Sequence, residues 1–147
     1  AWSENPRKGG PVYAWLENVL DFAKYSYTFV GRSPVRFDRI RMLDPVPSRE
    51  LGDLLRQHDI YITASFHDPC SNALIEALAC GLPAICANSG GHPELVGQGG
   101  FCFDEREEIP AILERLTQEY EERRSAIRVP RVRDVARNYA EAMGIVY

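Results

Sequence analysis

The chain has 147 residues, 45% hydrophobic and 26% charged, a balance that fits one globular domain with its own core. A formal net charge of -4 removes the bulk electrostatic case for nucleic acid as a partner. No apolar run approaches the roughly 20 residues that span a bilayer, and no signal peptide is visible. The first residue is Ala1 and not Met, which reads as a fragment or a processed product. Cys70, Cys80, Cys86 and Cys102 form no C-x-x-C pair, and no histidine stands at zinc-finger spacing, so no structural zinc is expected. Three of them lie in apolar stretches and read as buried free thiols, which favours a cytoplasmic setting.

From about Pro11 to Tyr25 a helical pattern places Tyr13, Leu16, Leu20 and Ala23 on one face. The strand that should precede it is almost absent, with only Ala1 and Trp2 to supply it. Tyr27 to Gly31 reads as a buried strand, and Arg39 to Leu43 as a short one stopped by Asp44, Pro45 and Pro47. Ser48 is placed to cap a helix running to about Gln57, with Leu51, Leu54 and Leu55 on one face. Asp59 to Ala64 is the next strand. Asn72 to Cys80 is a helix ended by Gly81. Pro83 to Ala87 and Gly100 to Phe103 complete the strands, and Ile109 to Arg124 and Arg131 to Met143 read as helices. Strand–helix alternation with nearly continuous apolar strands predicts an α/β fold: a Rossmann-like parallel sheet with helices on both faces. Ligands of such sheets bind beyond the carboxyl ends of the strands.

The chemistry concentrates in the stretch from Thr63 to Val96, TASFHDPCSNALIEALACGLPAICANSGGHPELV. Asp68 lies just past a strand and Glu76 eight residues on, inside the following helix. The helix start near Ser71 aims free backbone N–H groups at the same crevice, an arrangement that favours a phosphate. A carboxylate a turn or more into that helix can accept hydrogen bonds from ribose hydroxyls, and the loop acid can reach a sugar beside the phosphate. On the plain reading, Asp68 before Pro69 is a helix N-cap and Glu76 a solvated acid. Likewise Gly90 and Gly91 can be a simple turn, Glu94 a dipole-favoured acid, Lys8 a surface lysine, and His67 and His92 loop histidines.

The acid-x7-acid spacing, then Glu76-Ala77-Leu78-Ala79-Cys80-Gly81-Leu82-Pro83, then Gly90-Gly91-His92-Pro93-Glu94, resembles the signature of retaining glycosyltransferases of family 4, also called group 1. The resemblance runs from Lys8-Gly9 to about residue 104 and implies the C-terminal, donor-binding half of the two-Rossmann-domain GT-B architecture. It implies that residues 1–147 are this nucleotide-sugar-binding domain and that the N-terminal acceptor domain is absent from the chain. Position by position, it implies that Glu76 holds the donor ribose and that Asp68, usually Glu in the family, contacts the sugar hydroxyls. Cys70, Ser71 and Asn72 match the loop under the sugar and phosphates, and this loop departs from the usual G-F-G-type sequence. Lys8 matches the lysine on the diphosphate; the arginine often found five residues earlier is Ser3 here, so half of this cationic clamp is missing or is provided by Arg7. Pro45 and Val46 match the loop that brackets the nucleobase, and Gly90 and Gly91 the glycine pair near the donor. The family requires no cofactor and no bound metal.

The implied reaction transfers a sugar from a nucleoside-diphosphate sugar to an acceptor hydroxyl with retention at the anomeric carbon. The chain alone, without its acceptor domain, is expected to be inactive. Two other readings compete: a non-catalytic nucleotide-binding Rossmann module, and half of a nucleotide-sugar epimerase. The absence of G-x-G-x-x-G after a strand argues against a dehydrogenase. Arg123, Arg124, Arg128, Arg131, Arg133 and Arg137 read as a solvated helix and linker. The alternative for them is contact with the inner face of an anionic membrane.

Overall fold

The computed structural model describes residues 5–145; Ala1, Trp2 and Ser3, invoked above, lie outside the described residues. A 3-10 turn, Pro6–Lys8, leads into helix α1 (Gly10–Val19). Then follow β1 (Thr28–Val30), β2 (Arg41–Leu43), α2 (Ser48–Leu55), β3 (Tyr61–Thr63), α3 (Asn72–Ala79) and β4 (Ala84–Ala87). Helix α4 (His92–Val96), β5 (Gly100–Phe103), α5 (Ile109–Gln118), α6 (Tyr120–Ser125) and α7 (Val132–Ala142) complete the chain. Among the described residues no helix is long and apolar enough to cross a membrane.

Every strand pairing is parallel, as the alternation predicts. The single expected sheet is divided, however, into a pair, β1-β2, and a triplet, β3-β4-β5. All four residues of β4 are buried. Ile85 and Ala87 join a core that α1 and α5 cover with Tyr13, Leu16, Ile109, Leu113 and Leu116. Ala84 and Cys86 face a second core under α3 and α4, with Leu74, Leu78 and Val96. This doubly buried central strand is the mark of a parallel sheet sandwiched between helices. The first core also takes in Phe29 and Ile40, so it joins the two sheets where no ladder does. His58 Nε2 meets Thr28 Oγ1 at 3.0 Å near the same gap, and Tyr13 of α1 reaches both sheets, its OH accepting from the buried Ala64 N–H past the end of β3 at 3.0 Å. The Tyr13 ring stands edge-on to Phe29 with centroids 5.5 Å apart.

Several elements end elsewhere than the sequence predicts. Helix α1 stops at Val19, because Leu20 turns extended (ψ 134°) and the Asp21 carboxylate accepts the Ala23 N–H at 2.9 Å, starting a separate turn. Tyr13, Leu16 and Leu20 are buried as expected, but Ala23 is exposed. Ser48 is not a cap: Pro47 occupies that position and its carbonyl accepts from Glu50 and Leu51, leaving Ser48 as the first helical residue. Gly81, at φ +85°, ends α3 where predicted, a left-handed conformation that side-chain-bearing residues resist.

The helix expected over 109–124 is two helices, broken at Glu119 (φ -96°, ψ 17°). The Glu119 carboxylate clamps Arg115 and Arg123, each at 2.8 Å, and both guanidinium groups lie 4.4 Å from the Phe101 ring centroid. Arg123 is therefore packed structure and not part of a solvated basic stretch. Only Cys86 of the cysteines is fully buried; Cys80 and Cys102 are half-buried and Cys70 is exposed.

The Tyr13 hydroxyl supports a backbone N–H that has no water to turn to, since Ala64 is wholly buried. Tyr13→Phe should lower the unfolding free energy by about 1–3 kcal/mol, the usual cost of orphaning a buried donor. Urea titration followed by circular dichroism measures it, and an unchanged midpoint would refute the assignment.

Candidate functional site

A cleft of about 610 Å³ opens beyond the carboxyl ends of the strands and runs back between the two sheets. Its mouth holds Lys8, Asp68, Cys70, Ser71, Asn72 and Glu76, and Pro45 and Val46 line it from the other side. Eight of the ten residues singled out from the sequence thus share one cavity. Leu51, Leu54 and Leu55, the apolar face of α2, also line it, which explains why none of them is fully buried.

The local geometry follows from the chain. Lys8 leaves the 3-10 turn beside the end of β3, where Phe66 donates its N–H to Arg7 O at 2.8 Å. Its ammonium lies 3.1 Å from Asp68 Oδ2, in an ion pair with the lysine 40% and the aspartate 17% exposed. Arg7 is exposed and does not line the cleft. Ser71, not Asp68, caps α3: its Oγ accepts from Leu74 N–H at 3.4 Å. The N–H groups of Asn72 and Ala73 carry no protein partner among the described residues, and both residues line the cleft. They form a ready anion site at a helix start. Glu76 stands further along the same helix, half-buried, its carboxylate with no hydrogen bond or ion pair among the described residues.

Gly90 and Gly91 have a different task. They do not line the cleft but lie against the backbone of the Asp68 loop. Gly91 N–H donates to Asp68 O at 2.9 Å, and Ser89 Oγ accepts from His67 N–H at 3.0 Å. A Cβ on Gly90 would collide with the Asp68 carbonyl, and its φ of +60° disfavours a side chain as well. His67 itself holds φ +56°, a strained conformation for a residue with a side chain. The loop that carries Asp68 is thus fixed from below by the glycine turn. Glu94 is exposed on the first turn of α4, outside the cleft. His92 is no loop histidine: it is fully buried, with Nδ1 3.1 Å from Ala87 O.

Sequence reasoning missed Ser65, Tyr13 and Tyr61, all of which line the cleft. Ser65 is 5% exposed and its Oγ has no hydrogen-bond partner among the described residues, so a free hydroxyl is held inside the cavity. Burial pushes the Tyr61 phenol well above its ordinary range, with Tyr13 and the charges of Glu76 and Asp68 adding to the effect. Tyr61 is therefore a neutral hydroxyl at neutral pH. No local pattern marks these three; they reach the cleft because strand ends and the first helix converge on it.

If the glycine turn fixes the acid loop, Gly90→Ala should leave the circular dichroism spectrum native but release the loop. Hydrogen exchange would show it as lost protection at the Gly91 amide. Retained protection would separate the turn from the loop.

Residues 15–122 match the family model for glycosyl transferases group 1. The O-antigen chain mannosyltransferase B of Escherichia coli is 32% identical over 79 residues, 54% of this chain and 20% of that protein. The chain thus spans a small part of the length of this curated relative. Among solved structures, the pneumococcal O-GlcNAc transferase GtfA in complex with UDP and GlcNAc superposes with a TM-score of 0.67. It is 20% identical, over 82% of this chain and 29% of that one. Sucrose-phosphate synthase from Thermosynechococcus elongatus gives 0.69 at 16% identity, over 97% of this chain and 44% of that one. At such identities the likeness is one of fold.

Proposed function

Because the chain belongs to the glycosyl transferases group 1 family, we propose that it is the donor-binding domain of a retaining glycosyltransferase. The observation that carries this reading is the convergence of Lys8, Asp68, Glu76 and the start of α3 on one cleft. Glu76, whose carboxylate has no hydrogen bond or ion pair among the described residues, takes the ribose hydroxyls of a nucleoside-diphosphate sugar. The Asn72 and Ala73 N–H groups take the diphosphate, with the Ser65 hydroxyl as a further donor from the cleft wall. Pro45 and Val46 flank the base.

Lys8 and Asp68 neutralise each other at the mouth of the cleft. On donor binding the ammonium turns to the diphosphate and releases the carboxylate to the sugar hydroxyls. As the glycosidic bond breaks, negative charge grows on the departing diphosphate, where Lys8 and the helix N–H groups stabilise it. The acceptor that brings the hydroxyl is held by residues outside this chain, in an N-terminal domain of the same protein. The nucleotide-sugar substrate and the free cysteines favour a cytoplasmic setting.

Calorimetry with nucleoside diphosphates and their sugar conjugates tests each role. Glu76→Gln should weaken the nucleotide by about 1–3 kcal/mol, the loss expected for a charge-assisted hydrogen bond. Unchanged affinity would remove Glu76 from the ribose. Asp68→Asn should spare the nucleoside diphosphate and weaken the sugar conjugate; equal losses would contradict the division between the two acids. The isolated chain should bind donor without transferring sugar, because transfer needs the acceptor positioned in line. Turnover at the rate of the full-length protein would require an acceptor site within these residues.

A further inference from the structure

Away from the cleft, two cysteines sit side by side on the helix-covered face of the triplet. Cys86 and Cys102 are register partners on β4 and β5. Their side chains leave the sheet on the same face, and the Sγ atoms are 3.6 Å apart. Cys86 is completely buried, while Cys102 lies on the strand at the sheet margin and is half-exposed. The other two thiols cannot compete for either. Cys80 Sγ points to Gly52 O at 3.8 Å, and Cys70 is exposed on the cleft loop.

We propose that Cys86 and Cys102 are a thiol–disulfide exchange site, which takes a low-molecular-weight disulfide such as oxidised glutathione and closes into a cross-strand disulfide. Neighbouring parallel strands lie about 4.8 Å apart, inside the roughly 4.4–6.8 Å Cα separation a disulfide accepts. The sulfurs need to close from 3.6 Å to a bond of about 2.05 Å. The hydrogen bond between the two thiols divides their roles: together with burial it pushes Cys86 up, and it holds Cys102 below the usual thiol range. Cys102 is thus both the accessible thiol and the one more readily ionised.

The exchange proceeds in two steps. The Cys102 thiolate attacks one sulfur of the small disulfide, forming a mixed disulfide and expelling one small thiolate. Cys86, losing its proton to solvent, then attacks the Cys102 sulfur, and the second small thiolate leaves. Two protein thiols are oxidised to one disulfide, one small disulfide is reduced to two small thiols, and the two released protons end on these. Both steps are reversible exchanges, so reduced glutathione in excess drives them backwards and reopens the bond.

The test oxidises the native full chain with oxidised glutathione, alkylates it under denaturing conditions and maps the cysteines by mass spectrometry. Circular dichroism confirms the fold beforehand. The expected product links the Cys86 and Cys102 peptides, with the loss of two hydrogens and no glutathione on either. Excess reduced glutathione should restore both thiols. In Cys86→Ser the glutathione adduct should persist on Cys102, whereas in Cys102→Ser Cys86 should stay unmodified. The proposal is overturned if both cysteines are alkylated after oxidation, if the mixed disulfide persists in the wild-type chain, or if the link forms only in urea.

Discussion

Strand β4 is buried on both faces, and the rest of the molecule is arranged around that constraint. Ile85 and Ala87 anchor the core beneath α1 and α5, while Ala84 and Cys86 anchor the one beneath α3 and α4. A strand with no wet face can use only small or apolar side chains, and its backbone must be satisfied on both edges. The parallel ladders to β3 and β5 meet that demand. The chain leaves β4 at Ala87 directly into the turn of Ser89, Gly90 and Gly91, whose hydrogen bonds hold the Asp68 loop. The most buried strand of the protein thereby positions an acid at the mouth of the cleft.

Elements whose pattern is local were legible in the sequence. The helix of α3 with its glycine stop, and the apolar runs of β4 and β5, fall where periodicity and turn residues put them. Two of the misplaced boundaries share a cause: a side chain meeting a backbone or charge partner that periodicity does not encode. Asp21 bonding Ala23 N–H shortens α1, and Glu119 bridging two arginines accompanies the break of what reads as one long helix. The division of the sheet is likewise a property of strand placement, bridged by Tyr13 and by His58 with residues far away in sequence.

The site was legible wherever its chemistry is written in a short spacing. Asp68 and Glu76 follow from the strand–loop–helix reading, and Lys8 reaches Asp68 across 60 positions of chain. The glycine pair was recognised as a motif, but its task as a backbone support for Asp68 requires seeing how close the two loops lie. Ser65 gives no signal at all in the sequence. Its unpartnered hydroxyl matters only because the cleft passes over it.

The ion pair of Lys8 with Asp68 bears on selectivity. A cleft that presented a bare ammonium would attract any small anion in the medium, and its occupancy would fall steeply as ionic strength rose. Here the cation is already matched by a carboxylate 3.1 Å away, so chloride or free phosphate gains little by entering. Added salt screens the resting pair and a competing anion alike. In the donor-binding role proposed above, an anion displaces the carboxylate only when other groups, such as the α3 N–H groups and Glu76, hold the remainder of the same molecule. Discrimination then rests on the shape and length of the ligand, and charge alone is a poor key to the cleft.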